Sequence, residues 1–248
     1  MSGHSKWSTI KRKKGAADAA RSKTWGKLMR FVEVAAREGG GSVEGNPTLA
    51  TAVAKAKAAS VPTDNITRAI KRGTGELAGE TYEESAYEGY GPGGVAILVH
   101  CLTSNRNRAA QDVRSIFNKA GGKLAEPGSV AFMFEPKGVI TIPASAATED
   151  EVFLIAADGG AEDVDAGTEV IEVTTPPEAL KAVTDALGAA GITVESSELT
   201  QVPKSTVPIG GADAKKVLHL IDQLEELDDV QDVYANFDIS EDVMASIA

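Results

Sequence analysis

The residue types able to do acid–base, metal or nucleophile chemistry are few in this sequence and poorly placed for it. Three histidines, His4, His100 and His219, stand far apart along the chain, with neither HxxxH nor HExxH spacing to bring two of them to one metal ion. Cys101 is the only cysteine, which leaves no intrachain disulfide and no multi-cysteine metal site. His100 and Cys101 are neighbours in the apolar run VAILVHCL. On a strand they face opposite ways, so they read as a partly buried His beside a core Cys and not as a nucleophile pair. Carboxylates are plentiful, but a pair such as Glu149 and Asp150 has no His, Lys or Tyr at helical spacing beside it and reads as solvated surface. No nucleophile–base arrangement stands out, so the expectation is a non-enzyme without cofactor, metal or catalytic residue.

One motif suggests a nucleotide. Gly89-Tyr-Gly91-Pro-Gly-Gly94 matches G-x-G-x-x-G, the dinucleotide fingerprint. That fingerprint must follow a strand and open a helix, whose N-terminus then meets the pyrophosphate. Here it contains Pro92 and leads into VAILVHCL, a strand-like run, so it reads as a glycine-rich turn.

The chemistry the sequence does support is the binding of polyanions. The formal net charge is -11, yet residues 1–75 hold 15 Lys and Arg against 5 Asp and Glu, and the remainder holds 10 against 31. A basic module is thus joined to an acidic body that repels a phosphate backbone and confines contact to one end. The candidate contacts begin in an N-terminal arm with Lys6, Trp7, Lys11, Arg12, Lys13 and Lys14. Trp7 can stack on an unpaired base or tuck into a helical core. Further along, Lys23, Lys27, Arg30 and Arg37 fall within roughly 80° of one another on a helix of about 100° per residue, opposite an apolar stripe. Arg68, Lys71 and Arg72 extend the basic surface. In the acidic body, SNRNR brings Arg106 and Arg108 to a helix start, where cations oppose the macrodipole unless an anion sits there. They are expected to make a second anion contact, or to pair with the acidic body.

The elements that must position these residues follow from periodicity. Trp25, Leu28, Met29, Val32, Ala35 and Ala36 lie on one face of a helix over residues 18–38, which GGGS ends. A second helix starts at Asn46 as N-cap with Pro47 in first place and stops before Pro62. A third follows Thr63 or Asp64 and closes at Gly73. Beyond residue 80, strands and helices alternate. From Lys137, GVITIP, TEDEVFLIAADGG, AEDVD, TEVIEVTT, PEALKAVTDALGAAG and ITVESSEL read β-α-β-β-α-β, the ferredoxin-like order. VAILVHCL, the helix after it and SVAFMFE, joined to TQVPKSTVPI, ADAKKVLHLIDQLEELDD and VQDVYANFDI, repeat that order around the insertion. The expected fold class is α+β: a helical N-terminal domain followed by two ferredoxin-like α/β domains, the third inserted into the second. The expected bounds are 1–75 for the basic helical domain, 80–135 plus 203–240 for the discontinuous domain and 137–200 for the insertion.

The longest apolar runs fall far short of the roughly 18 residues of a membrane span, and the basic start is not followed by an apolar signal region. The expectation is a cytoplasmic protein with no membrane partner.

GHSKW, IKRKK, DAARSK, AAREGGG, NPTLATAVAKAKAASVPTDNITRAIKRGTGE, YEGYGPGGVA, NRNR and GGKLAEPGSVAF together resemble the YebC family. The likeness is dense from residue 3 to about 135 and continues in element order to the C-terminus. One departure is KAKAASVPTDN, where many members carry Asn-Met before the Pro. The family includes a mitochondrial relative that activates translation of a cytochrome oxidase subunit, and the lack of a transit peptide points to the bacterial form. The resemblance implies a helical domain with two α/β domains, cytoplasmic location and no catalysis. It also implies a role in gene expression, as a probable transcriptional regulator binding DNA or as a ribosome-associated translation factor binding rRNA and easing synthesis of proline-rich stretches. No helix-turn-helix recognition helix stands out. The competing readings are a small-ligand sensor or enzyme, which calls for a polar-lined pocket between the α/β domains, and a scaffold acting through acidic faces alone.

Overall fold

A computed structural model of the chain describes residues 18–240 and Val243. The expectations for Lys6, Trp7, Lys11, Arg12, Lys13 and Lys14 lie outside the described residues.

Three helices come first, α1 (Asp18–Gly39), α2 (Pro47–Ala58) and α3 (Thr63–Gly73). The apolar stripe of α1 buries Val32, Ala35 and Ala36 against Leu49 and Ala52 of α2 and Ile66 and Ala69 of α3, with Trp25, Leu28 and Met29 packed at the edge. Asn46 ties the first two helices together. Its Oδ1 accepts the Leu49 N–H at 3.0 Å, and its Nδ2 donates to the Ala35 and Gly40 carbonyls at 2.7 and 2.9 Å. One side chain thereby satisfies an orphan donor at one helix start and carbonyls at the other helix's end. Trp25 Nε1 donates to the Ala59 carbonyl at 3.0 Å and fixes α1 against the end of α2.

Then follow β1 (Glu83–Tyr90), β2 (Ala96–Thr103), α4 (Arg106–Lys119), β3 (Lys123–Leu124), β4 (Phe134–Pro143), α5 (Glu149–Asp158), β5 (Asp163–Ala166) and β6 (Val170–Thr175). They are succeeded by α6 (Leu180–Ala189), β7 (Ser196–Pro203), β8 (Val207–Pro208), α7 (Gly211–Glu225), β9 (Val230–Ala235) and β10 (Phe237–Asp238). The fold is α+β, with a helical N-terminal region followed by sheets.

The first sheet has the order β3-β1-β2-β9, with each neighbouring pair antiparallel. Val95, Ile97, Val99 and Cys101 point from it into a core closed by Val113 and Phe117 of α4 and by Val217, Leu220, Ile221 and Leu224 of α7. His100, one residue from Cys101, stands on the opposite face, edge-on to Tyr234 at 5.3 Å.

Three segments differ from the sequence reading. YEESAYEGY, for which that reading has no strand, forms β1. SVAFMFE does not join the first sheet: Ala131–Met133 is a single 3₁₀ turn, and Phe134 opens a ten-residue strand that runs on through GVITIP into the second sheet. VPKSTVPI leaves only Val207–Pro208 as a strand after Pro203, paired parallel with β10. The glycine motif accordingly follows a strand but opens a second strand in place of a helix. A Cβ on Gly89 would stand 2.6 Å from Phe117 Cε1 and 2.8 Å from the Lys123 carbonyl oxygen, so close packing of α4 and β3 explains that glycine.

The second sheet, β5-β6-β4-β7, carries β4-α5-β5-β6-α6-β7, a ferredoxin-like unit with Ile140, Ile142, Ile171 and Val173 packed on Val152, Ala156, Val183 and Leu187. The chain enters it at Phe134 and leaves at Pro203, and these two residues are paired across the β4–β7 ladder. Lys204 adds two bonds at the same place, from its N–H to the Met133 carbonyl and from Nζ to the Phe132 carbonyl, both at 2.9 Å.

Candidate nucleic-acid interface

The cationic strip of α1 is set by spacing. Residues 23, 27 and 30 follow at i, i+4 and i+7, so their side chains leave the helix in one row. That row meets the C-terminal end of α7, where the last carbonyls have no intrahelical partner and carry the negative pole of the helix dipole. Lys23 Nζ lies 3.5 Å from the Glu226 carbonyl, Lys27 Nζ donates to the Glu225 carbonyl at 2.5 Å, and Arg30 Nη1 donates to the Asp228 carbonyl. Arg30 Nη1 also stands 3.3 Å from Asp229 Oδ1, and its guanidinium lies over the Tyr82 ring at 5.5 Å. In this arrangement the strip holds the helical unit to the first sheet's layer, and a nucleic acid reaching it has to compete with that contact.

Asp229, whose side chain is 9% exposed, is shared. Arg108 donates to it through Nη2 at 2.8 Å to Oδ2 and 3.1 Å to Oδ1, and through Nε at 3.3 Å. The anion that the start of α4 calls for is therefore supplied by the chain itself. Arg106 remains 65% exposed, with Glu83 Oε2 at 3.9 Å. Arg72 is turned inward as well: its Nε donates to Glu33 Oε2 at 2.8 Å, and Arg37 reaches the other oxygen of this buried carboxylate at 3.4 Å.

Arg68 and Lys71, three residues apart on α3, are exposed and have no salt bridge or side-chain hydrogen bond among the described residues. Lys55 and Lys57, in the last turn of α2, are exposed in the same way, and the sequence does not single them out. The only signal for them in the sequence is the scarcity of Asp and Glu between residues 45 and 75, and Lys55 also lines a cleft with Glu84 and Asp232. Of the residues expected to bind polyanions, the structure thus gathers Lys23, Lys27 and Arg30 at the α7 end, draws Arg72 into the helical unit, joins Arg108 to Asp229 and leaves Arg68 and Lys71 open.

Other groups with shifted proton affinity serve the scaffold. Burial raises the Cys101 thiol to about 12, with Asp229 adding to the effect and Lys27 opposing it. Desolvation pushes the Glu88 carboxyl upward, but N–H donors of Gly128, Ala131 and Val130 outweigh it and hold the group below its usual value of 4.5. These bonds are 2.6 Å to Oε1 and 2.8 and 2.5 Å to Oε2, and they pin the 128–131 loop to β1. A cleft of about 440 Å³ opens between α1 and the first sheet, where Lys27 and Lys55 face Glu84, His100 and Asp232.

The sequence matches the model for the TACO1/YebC protein N-terminal domain over residues 5–76 and the model for the TACO1/YebC second and third domain over residues 82–237. The chain belongs to the TACO1/YebC family. A relative from Rubrobacter xylanophilus, named a probable transcriptional regulatory protein, is 58% identical over 250 residues, the whole of both chains. One of the same name from Geotalea uraniireducens is 54% identical and covers 98% of each chain. Among solved structures, a conserved hypothetical protein from Aquifex aeolicus is 49% identical with a TM-score of 0.80, over 90% of this chain and 93% of that one. The names place the chain among regulator-type members of the TACO1/YebC family, and among the described residues no helix is long and apolar enough to cross a membrane.

Proposed function

We propose that the chain is a non-enzymatic, cytoplasmic regulator of gene expression that binds nucleic acid through its N-terminal third. What carries the reading is the segregation of charge, 15 cations against 5 anions in residues 1–75 and 10 against 31 thereafter. The exposed Lys55, Lys57, Arg68 and Lys71, together with the basic arm from Lys6 to Lys14, form the contact surface, and Lys23, Lys27 and Arg30 join it when the α7 end releases them. The relatives' name favours DNA as the target. Ribosomal RNA is the second target: an arm with several cations and one aromatic, Trp7, suits unpaired bases as well as a duplex.

The test is a competition between intact ribosomes and random duplex DNA for the labelled full-length protein at physiological salt, repeated with Lys11, Arg12, Lys13 and Lys14 changed to Gln. Equal or stronger binding to DNA supports transcription as the level of control. Preference for ribosomes, lost in the Gln form, makes the chain a translation factor. Binding to neither overturns the reading.

A further inference from the structure

Helix α5 is apolar on two sides. Its inner side is the expected one, with Val152 and Ala156 fully buried against the second sheet and Ile155 packed beside them. On its outer side Phe153 is 55% exposed and Leu154 68% exposed. With Asp150 and Ala157 they follow at i, i+3, i+4 and i+7, so they form one outward stripe on a helix whose other neighbours are already in place. Single exposed apolar residues are ordinary, but two large ones side by side on an outer helix face mark a surface that another molecule covers.

The surroundings decide the sign of that molecule. The first turn of α5 holds Glu149, Asp150 and Glu151. Residues 134–203 carry 14 Asp and Glu against two lysines. Both lysines are engaged locally, Lys137 with Glu162 at 2.6 Å and Lys181 with Asp185 at 2.6 Å. A nucleic acid or an anionic lipid surface is repelled here, and a second acidic insertion is repelled equally.

We propose that the outer face of α5 is a docking site for a basic segment of another protein, whose apolar side chains cover Phe153 and Leu154 while its Lys and Arg lie along Glu149, Asp150 and Glu151. This is helix-face recognition with apolar anchors giving affinity and the acidic rim giving register and rate. It does not rest on the nucleic-acid reading, since it uses none of the same residues.

The probe is a fluorescein-labelled helical peptide of Leu and Lys, with Leu at i, i+3, i+4 and i+7, added to the full-length chain and followed by anisotropy. The control peptide has Glu in place of each Lys. The expected result is saturable binding of the Lys peptide that weakens with salt and falls by about tenfold or more in Phe153→Ser/Leu154→Ser. It should fall similarly in Glu149→Lys/Asp150→Lys, and the Glu peptide should not bind. Both double variants change outward side chains, and an unchanged far-ultraviolet circular dichroism melt checks that they fold. Absent binding, equal binding to the Phe153→Ser/Leu154→Ser chain, or equal binding of the Glu peptide overturns the proposal. So does concentration-dependent dimerisation of the wild type that this variant abolishes, because it assigns the face to a second copy.

Discussion

Asp229 holds Arg108 at 2.8 Å, and the pair joins the start of α4 to the loop that follows α7. Arg30 reaches the same carboxylate from the helical unit at 3.3 Å, so one acidic side chain meets cations from two separate parts of the fold. Asp229→Asn keeps the shape and removes the charge. The expected outcome is a fall of about 2–4 °C in Tm and faster proteolysis in residues 74–82, between α3 and β1. An unchanged cleavage rate would show that the carboxylate does not hold the two parts together.

Lys27 sits against the Glu225 carbonyl at the negative end of α7. Lys27→Glu reverses the sign there and is expected to release the helical unit, seen as a larger radius of gyration in small-angle scattering. Lys27→Gln should do so weakly, since an amide still donates a hydrogen bond.

Glu88 gives a pH prediction with a definite sign. Its carboxyl is held below 4.5 in the folded chain, so the stabilisation it brings is complete above the unfolded value and disappears as pH falls through the folded one. Glu88→Gln should cost about 1–3 kcal/mol at neutral pH, and the gap from wild type should narrow in acid. Urea melts at a series of pH values measure it, and a gap independent of pH would contradict the assignment.

Arg68 and Lys71 are the open cations of α3. Changing both to Gln should lower the affinity for duplex DNA, and the slope of log K against log salt should become shallower by about 0.9 for each phosphate that is no longer neutralised. Filter binding across a salt series reads both quantities.

Cys101 is 2% exposed and its thiol is raised to about 12. Iodoacetamide should leave it unmodified at neutral pH in the native chain and alkylate it readily in denaturant, with the rate tracking the opening of the first sheet's core. Mass spectrometry of timed samples reports the rate.

The helical unit and the insertion were legible because their signals are local. Asn46 followed by Pro47 marks a helix start, and it is one. In the insertion, the segments GVITIP, TEDEVFLIAADGG and those after them carry the element order that the structure shows. The first sheet was less legible. EESAYEGY is poor in β-formers, and it is a strand because its whole length pairs with β2, while Glu88 and Tyr90 bind the 128–131 loop, which sequence spacing does not show. Pro136 lies inside β4 without ending it, because β6 reaches only to Gly138 and Pro136 stands where β4 has a neighbour on one side alone. The strip of Lys23, Lys27 and Arg30 was visible as a strip, but its partners were not. All three bind backbone carbonyls, and a carbonyl leaves no mark in the order of residue types.

The pairing of Phe134 with Pro203 makes the insertion's two connections into one ribbon. A domain hung on a single linker swivels about every axis, and one hung on two separate linkers shears. A ribbon of two hydrogen-bonded strands resists stretching and in-plane bending, and yields most readily by flexing across its thin direction and by twisting. The acidic insertion should therefore swing toward and away from the first sheet as a flap with a preferred plane, carrying the outer face of α5 along a short arc.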